Sequence, residues 1–248
     1  MILELVLAQY AQGGFHPSGS SLMIYGIFIF FALLSWIIQK ILKSKFKKYS
    51  EVPMPYGMTG KDVAEKMLRE NGINDVKVQH IGGQLTDHYD PTTQIVNLSE
   101  EVYMNNSIAA AAVAAHECGH AIQHANSYAF LNMRSKMVPV VSFASRWMQW
   151  ILLGGIILLQ SFPQLLLVGI ILFGVTTLFS FITLPVEINA SRRAIAWLSN
   201  AGITNNTTYP MATDALRWAA YTYVVAALAS LATLVYYILI FLSGRGRD

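Results

Sequence analysis

The sequence predicts a mainly α-helical membrane protein, with about four transmembrane helices and a small α+β region on one side of the membrane. Its composition indicates this fold class, because 54% of the 248 residues are hydrophobic and only 12% are charged. Soluble domains carry about 25% charged residues, so half that share is typical of a chain that lies in a bilayer. The formal net charge of +3 is too small to indicate a nucleic-acid partner, and we expect none.

Four stretches with few or no charges are long enough, or nearly so, to cross a bilayer, which takes about 20 apolar residues. Residues 22–38 form the first predicted span, and residues 219–242 form the last. Between them, residues 138–184 are predicted to form a hairpin of two spans joined by a turn at 161–164. Arg146 falls inside this hairpin, where we expect it to snorkel to the interface or to be paired.

Basic residues predict the orientation of these spans, because cytoplasmic loops are enriched in Lys and Arg. They follow the first span and flank the later spans on one side: Lys40, Lys43, Lys45, Lys47, Lys48, Arg134, Lys136, Arg192, Arg193 and Arg217. This pattern predicts that 39–137 and 185–218 face the cytoplasm and that the tails 1–21 and 243–248 lie outside. Two arginines in the second tail oppose the pattern but are outnumbered. The first span has no basic segment before it, so we interpret it as an uncleaved anchor.

The predicted cytoplasmic segment 39–137 combines helices with short strands. Residues 59–72 have the capping residues and apolar stripe of an amphipathic helix. Alternating polar and apolar residues at 76–78, 85–89 and 94–98 predict three strands, which we expect to pair as a small antiparallel sheet.

An alanine-rich helix, predicted to be capped by Ser107, carries the pattern H-E-x-x-H from His116 to His120. Residues four apart share one face of a helix, so both histidines can reach a single Zn²⁺. Glu117 would lie beside the ion, as the general base for a water molecule that attacks a carbonyl carbon. Cys118 is the only cysteine, and we expect it to point away from the metal.

A catalytic zinc site needs a third protein ligand and an open coordination position. We do not expect His124 to be that ligand, because three histidines spaced four apart span about 12 Å along a helix. Glu187 is the better candidate, since a buried carboxylate at a membrane boundary is costly unless it is paired or bound to metal. The alternative for Glu187 is an ion pair with Arg192 or Arg193.

Several other residues have more than one interpretation. Asp214 is predicted either to orient a ligand histidine through its second ring nitrogen or to cap a helix near Thr213. The segment 87–90 is predicted to be a strand that leads into an Asp-Pro turn, with a second metal site or a substrate-binding edge as alternatives. No oxyanion-stabilising side chain stands out, and the possibilities are Tyr209, Tyr221 and His88.

Three segments, 85–91, 116–124 and 184–193, resemble the YugP-type membrane zinc metallopeptidases of bacteria, and more distantly the HtpX-type and CAAX-processing peptidases. The resemblance implies a zincin-like cytoplasmic domain with one Zn²⁺ per chain. It also implies that His116, His120 and Glu187 are the metal ligands and that Glu117 is the general base. The sequence departs from the HtpX-like relatives at Ser191, where they carry an aspartate.

These observations predict a zinc endopeptidase in the bacterial plasma membrane, with its active site facing the cytoplasm. Its substrate would be a membrane-associated protein or peptide, and the lipid bilayer would be its other partner. An intramembrane site-2-type protease is a weaker alternative, because it requires an aspartate within a span and none occurs here. The other alternative is a membrane scaffold or adaptor with a structural or vestigial zinc site, against which the intact Glu117 argues.

Overall fold

The computed structural model describes residues 19–245, and it describes the side chains of residues 25–243. Most of the predicted tail 1–21 and half of the predicted tail 243–248 lie outside the described residues, because the description begins at residue 19 and ends at residue 245. The elements in chain order are α1 (Gly19–Ser50), a short 3₁₀ turn (Pro55–Gly57), α2 (Gly60–Glu70), β1 (Lys77–Ile81), β2 (His88–Asp90), β3 (Ile95–Ser99), α3 (Glu100–Tyr103), α4 (Ile108–Ala125), α5 (Ala129–Ile157), α6 (Pro163–Asn200) and α7 (Tyr209–Arg245).

Four helices, α1, α5, α6 and α7, are long and apolar enough to cross a membrane, as the sequence predicts. Helix α6 packs between α5 and α7, and α1 packs against α7. The helices continue beyond the predicted spans at one end of this bundle, where α4 packs against the extensions of α1, α6 and α7. The membrane helices and the motif helix therefore share one packed unit.

Pro185 lies inside the continuous helix α6, although proline is most often found in the first turn of a helix. Proline removes one backbone donor from a helix. Long membrane helices tolerate this loss because neighbouring helices and local side chains satisfy the freed groups. As a result, Glu187 lies on the same continuous helix that forms the third apolar span.

The three strands form a mixed sheet, so the predicted purely antiparallel sheet is wrong. Strand β3 lies in the centre, pairing in parallel with β1 and antiparallel with β2. The central position suits β3 because its apolar side chains Val96 and Leu98 are fully buried. Strand β2 is thereby left at an edge of the sheet, next to α4.

Helix α4 lies in the core and begins as predicted, because the Ser107 hydroxyl accepts a hydrogen bond from the Ala110 N–H. Its alanines are almost all buried, which lets α2, α6 and α7 approach closely. One close approach is at Gly119, where an added Cβ would lie 2.7 Å from the carbonyl oxygen of Ala190 on α6. The glycine within the H-E-x-x-H motif therefore allows α6 to pack closely against α4 at this point.

Candidate metal centre

Three potential metal ligands from two helices converge at the junction of α4 and α6. They are His116 and His120 on α4 and Glu187 on α6, and their ligand atoms all lie within 4.8 Å of one another. Glu187 is 67 or more residues distant from both histidines in the sequence, and only the packing of α6 against α4 brings it to them. Its side chain is only 3% exposed. Within residues 25–243, this is the one cluster of at least three such side chains with metal-binding geometry.

The distances from Glu187 to the two histidines fit a tetrahedral zinc ion. The Glu187 Oε2 atom lies 3.3 Å from His116 Nε2 and 3.6 Å from His120 Nε2. Ligand atoms on a tetrahedral zinc ion, with bonds of roughly 2.1 Å, lie about 3.4 Å from each other. Glu187 thus lies at the distance from each histidine that a shared zinc ion requires.

The hydrogen bonds of Gln123 determine which nitrogen of His120 faces the cluster. The Gln123 side chain is fully buried, and its Nε2 donates to the Val186 carbonyl and to Asn189 Oδ1 on α6. Its Oε1 atom therefore faces His120 Nδ1, 3.0 Å away, and accepts from it. A neutral His120 then directs the lone pair of Nε2 at Glu187, an arrangement that is repulsive unless a cation lies between them.

Two further contacts orient the other members of the cluster. Ser191 Oγ lies 3.1 Å from His116 Nδ1, so this serine supplies a hydrogen-bond partner at the position where the distant relatives carry an aspartate. Arg134 Nη1, from the start of α5, donates to Glu187 Oε1 at 3.2 Å. The predicted alternative of a pair with Arg192 or Arg193 is wrong, since Arg134 is the arginine that Glu187 contacts.

Glu117 projects from α4 into the same cavity as the cluster and is 8% exposed. Burial raises the pKa of its carboxyl group to about 7, and the neighbouring carboxylates of Glu187 and Asp87 raise it as well. The carboxylate Oε2 accepts a hydrogen bond of 3.0 Å from the Tyr89 N–H. A carboxyl group that titrates near neutral pH is suited to accept and return a proton.

Tyr89 lies on the edge strand β2, and its N–H points towards α4 because it donates to Glu117. This N–H is thus engaged by Glu117, and the substrate-edge interpretation of 87–90 stays a prediction. The Tyr89 hydroxyl also contacts His124 Nδ1 at 2.8 Å, which makes His124 a neighbour of the strand and not a member of the cluster. Asp90 accepts hydrogen bonds from Thr92 and Thr93 and closes the predicted turn.

A cavity of about 230 Å³ lies over the cluster and is lined in part by His88, Arg134 and Tyr223. Of the three suggested oxyanion stabilisers, only His88 lines it. Tyr209 lines a different cavity, and the Tyr221 ring packs against Trp218. Sequence reasoning missed Tyr223, because tyrosines are common at membrane interfaces and its position gives no separate signal.

Asp214 does not support the cluster, so its predicted role in orienting a ligand histidine is wrong. It lies inside α7 and makes a 2.8 Å ion pair with Lys45, and it also accepts a 2.6 Å hydrogen bond from the Tyr49 hydroxyl. The helix-cap alternative is also wrong, since α7 begins at Tyr209. Cys118 is buried and points away from the cluster towards the Ala64 carbonyl, as predicted.

Comparisons with known proteins show the family to which the chain belongs. Residues 24–242 match a protein family described as "Putative neutral zinc metallopeptidase". The match covers most of the chain, and the protein therefore belongs to this family. Its four long apolar helices indicate a membrane protein.

One relative is the Bacillus subtilis (strain 168) protein named "Putative membrane protease YugP". The two sequences are 46% identical over 226 residues, which cover 90% of this chain and the whole of the relative. No solved structure matches the chain. The resemblance to YugP-type membrane zinc metallopeptidases is therefore confirmed.

Proposed function

We propose that the protein is a membrane-embedded zinc endopeptidase that hydrolyses peptide bonds with Glu117 as the general base. The observation that carries this proposal is the convergence of His116, His120 and Glu187 beside a cavity that Glu117 also lines. In this proposal the three converging side chains are the ligands of one zinc ion per chain. The family and the relative agree with a peptidase of this kind.

The donor set supports zinc in particular. Two imidazole nitrogens and one carboxylate oxygen, with a cavity in place of a fourth protein ligand, are typical of catalytic zinc sites. Bound zinc supplies Lewis acidity, which polarises a carbonyl group and acidifies water. Structural zinc sites instead hold four protein ligands in a closed shell.

The chain's own groups supply the remaining chemistry. Glu117 takes a proton from water and passes it to the amine that leaves when the peptide bond breaks. The edge strand β2 offers backbone groups with which an extended substrate can pair. Arg134 and Gln123 hold Glu187 and His120 in place, and fixed ligands of this kind bind metal more tightly.

We further propose that the site faces the cytoplasm of a bacterial plasma membrane. The predicted cytoplasmic basic residues lie on the extensions of α1, α5, α6 and α7, which meet at the end of the bundle that contacts α4. A positively charged end of a helical bundle favours the cytoplasmic side. Substrates are then membrane-associated proteins or peptides whose scissile bond reaches this interface.

The scaffold alternative does not account for Glu117. A buried carboxyl group without a basic side-chain partner destabilises a fold, and a scaffold with structural zinc has no use for it. The hydrogen bond from the Tyr89 N–H is the one interaction that the described structure shows for its side chain within hydrogen-bonding distance. A general base needs a carboxyl group beside the metal that is not held in an ion pair.

Purified full-length protein in detergent tests the proposal. The wild type and Glu117→Gln are compared for zinc content and for cleavage of casein and a peptide library. We expect Glu117→Gln to retain zinc and to lose measurable cleavage, because the amide cannot accept the proton. Undiminished cleavage by this variant, in preparations shown to be free of other proteases, contradicts the assignment of the base.

A further inference from the structure

A second cavity, of about 650 Å³, lies beside the first turns of α4. Asp87 lines this cavity and also the cavity over the metal cluster, so the two are neighbours. Val113 lines the second cavity and precedes His116 by one helical turn, a rise of about 5 Å. An extended peptide advances about 3.3 Å per residue, so this cavity lies within about four residues of a bond held at the metal cluster.

The walls of the second cavity combine apolar surface with positive charge. Leu42 and Phe46 on α1 and Val113 on α4 contribute apolar surface to it. Lys43 and Lys47 also line it from α1, and residues four apart lie on the same face of a helix. The cavity therefore offers space for an apolar side chain next to two ammonium groups.

The two lysines have no carboxylate partner among the side chains of residues 25–243. The cavity does contain two carboxylates, but other groups already engage them. Asp87 accepts hydrogen bonds from the N–H and the hydroxyl of Ser99, and Glu101 accepts one from the Gln84 amide. An acidic ligand in the cavity could therefore pair with the ammonium groups of Lys43 and Lys47, which no described carboxylate pairs with.

We infer that this cavity is a substrate subsite that selects an apolar residue next to an acidic residue, within about four positions of the scissile bond. The inference rests on the proposed peptidase function and names the class of peptide that the site prefers. An extended peptide paired with the edge strand β2 would pass Asp87 and enter the second cavity. Its apolar side chain would lie against Leu42 and Phe46, and its carboxylate would meet the lysines.

The test compares peptides that differ only by Glu or Gln at each of the four positions on both sides of a cleaved bond. Exposed ion pairs contribute modestly, so two pairs predict a preference for Glu of about two- to tenfold in kcat/KM at the best position. The Lys43→Gln/Lys47→Gln double variant should lose this preference and keep its cleavage of the Gln peptide. The matched control, Lys40→Gln/Lys48→Gln, removes two lysines of the same helix that do not line the cavity, and it should keep the preference.

An equal response to Glu and Gln at all positions in the wild type, or an equal loss in both double variants, overturns the inference while leaving the peptidase function intact. Fluorescence anisotropy of labelled peptides on Glu117→Gln separates the two proposals, since binding is read without hydrolysis. A Glu preference in binding, with no cleavage by the wild type, contradicts the peptidase function alone. If phosphatidylglycerol binds only to proteins that retain Lys43 and Lys47, and the peptides show no preference, the cavity holds lipid and the inference is overturned.

Discussion

Replacing Gly119 by alanine tests whether the close contact of α4 with α6 assembles the metal site. The new Cβ would lie 2.7 Å from the Ala190 carbonyl oxygen and 3.1 Å from its Cα. Comfortable contacts between carbon atoms are about 3.5–4.0 Å, so the two helices must separate by roughly 0.5–1 Å. His120 follows the contact by one residue on α4, and Glu187 precedes it by three residues on α6.

A separation of this size moves a metal ligand on one helix away from those on the other. A displacement of about 1 Å costs about 100-fold in rate, so we expect kcat/KM for a cleaved peptide to fall about 10- to 100-fold in Gly119→Ala. Zinc affinity, measured by competition with a chromophoric chelator, should fall as well. Both measurements use the purified membrane protein in one detergent.

The same substitution should stabilise α4 as an isolated helix. Its effect on helix stability is therefore opposite to the loss of zinc affinity and cleavage that the packing argument predicts. Alanine stabilises a helix by about 0.8–1 kcal/mol relative to glycine. The control is Gly154→Ala on α5, where the added Cβ meets only the flexible end of Leu165 at 3.4 Å, and this variant should behave like the wild type. If Gly119→Ala unfolds at a higher temperature and still binds zinc and cleaves peptides like the wild type, the packing argument is refuted.

Three further predictions concern the surroundings of the metal cluster. Gln123→Met should lower zinc affinity about 10- to 100-fold in chelator competition, because His120 loses the acceptor that orients its ring; unchanged affinity would show that the bond to His120 is dispensable. Asp214→Asn should leave zinc content and cleavage unchanged, because Asp214 pairs with Lys45 away from the cluster, and loss of zinc would restore its role in the site. Removal of zinc with a chelator should abolish cleavage and lower the unfolding temperature, because an ion bound only to the folded state stabilises it. Adding zinc should restore both. Full activity in the zinc-free protein would contradict the account.

Local sequence patterns predicted the parts of the fold that depend on short-range physics. The apolar runs predicted four helices that are long and apolar enough to cross a membrane, and Ser107 and Thr59 both cap the helices predicted for them. The spacing of His116 and His120 placed them on one helix face, and the cost of burying a carboxylate at a membrane boundary pointed to Glu187. The structure brings these three side chains together, and their role as ligands remains a proposal.

The missed features depend on contacts between segments that are far apart in the sequence. Arg134 and Tyr223 reach the cavity because α5 and α7 pack beside α6, and no local pattern encodes that packing. Gln123 resembles an ordinary polar residue on α4 until the approach of α6 gives its amide two acceptors. The role of Asp214 was predicted wrongly for the same reason, since its ion-pair partner Lys45 lies 169 residues earlier in the chain.

The central claim is that one zinc ion is held by ligands from two different helices, and zinc analysis of Glu187→Ala tests it most directly. The variant is purified beside the wild type and Glu117→Gln, with folding checked by circular dichroism, and zinc is counted by mass spectrometry of the metal. The account predicts about one zinc per chain in the wild type and in Glu117→Gln, and far less in folded Glu187→Ala. A full complement of zinc in folded Glu187→Ala would contradict the claim and move the third ligand elsewhere.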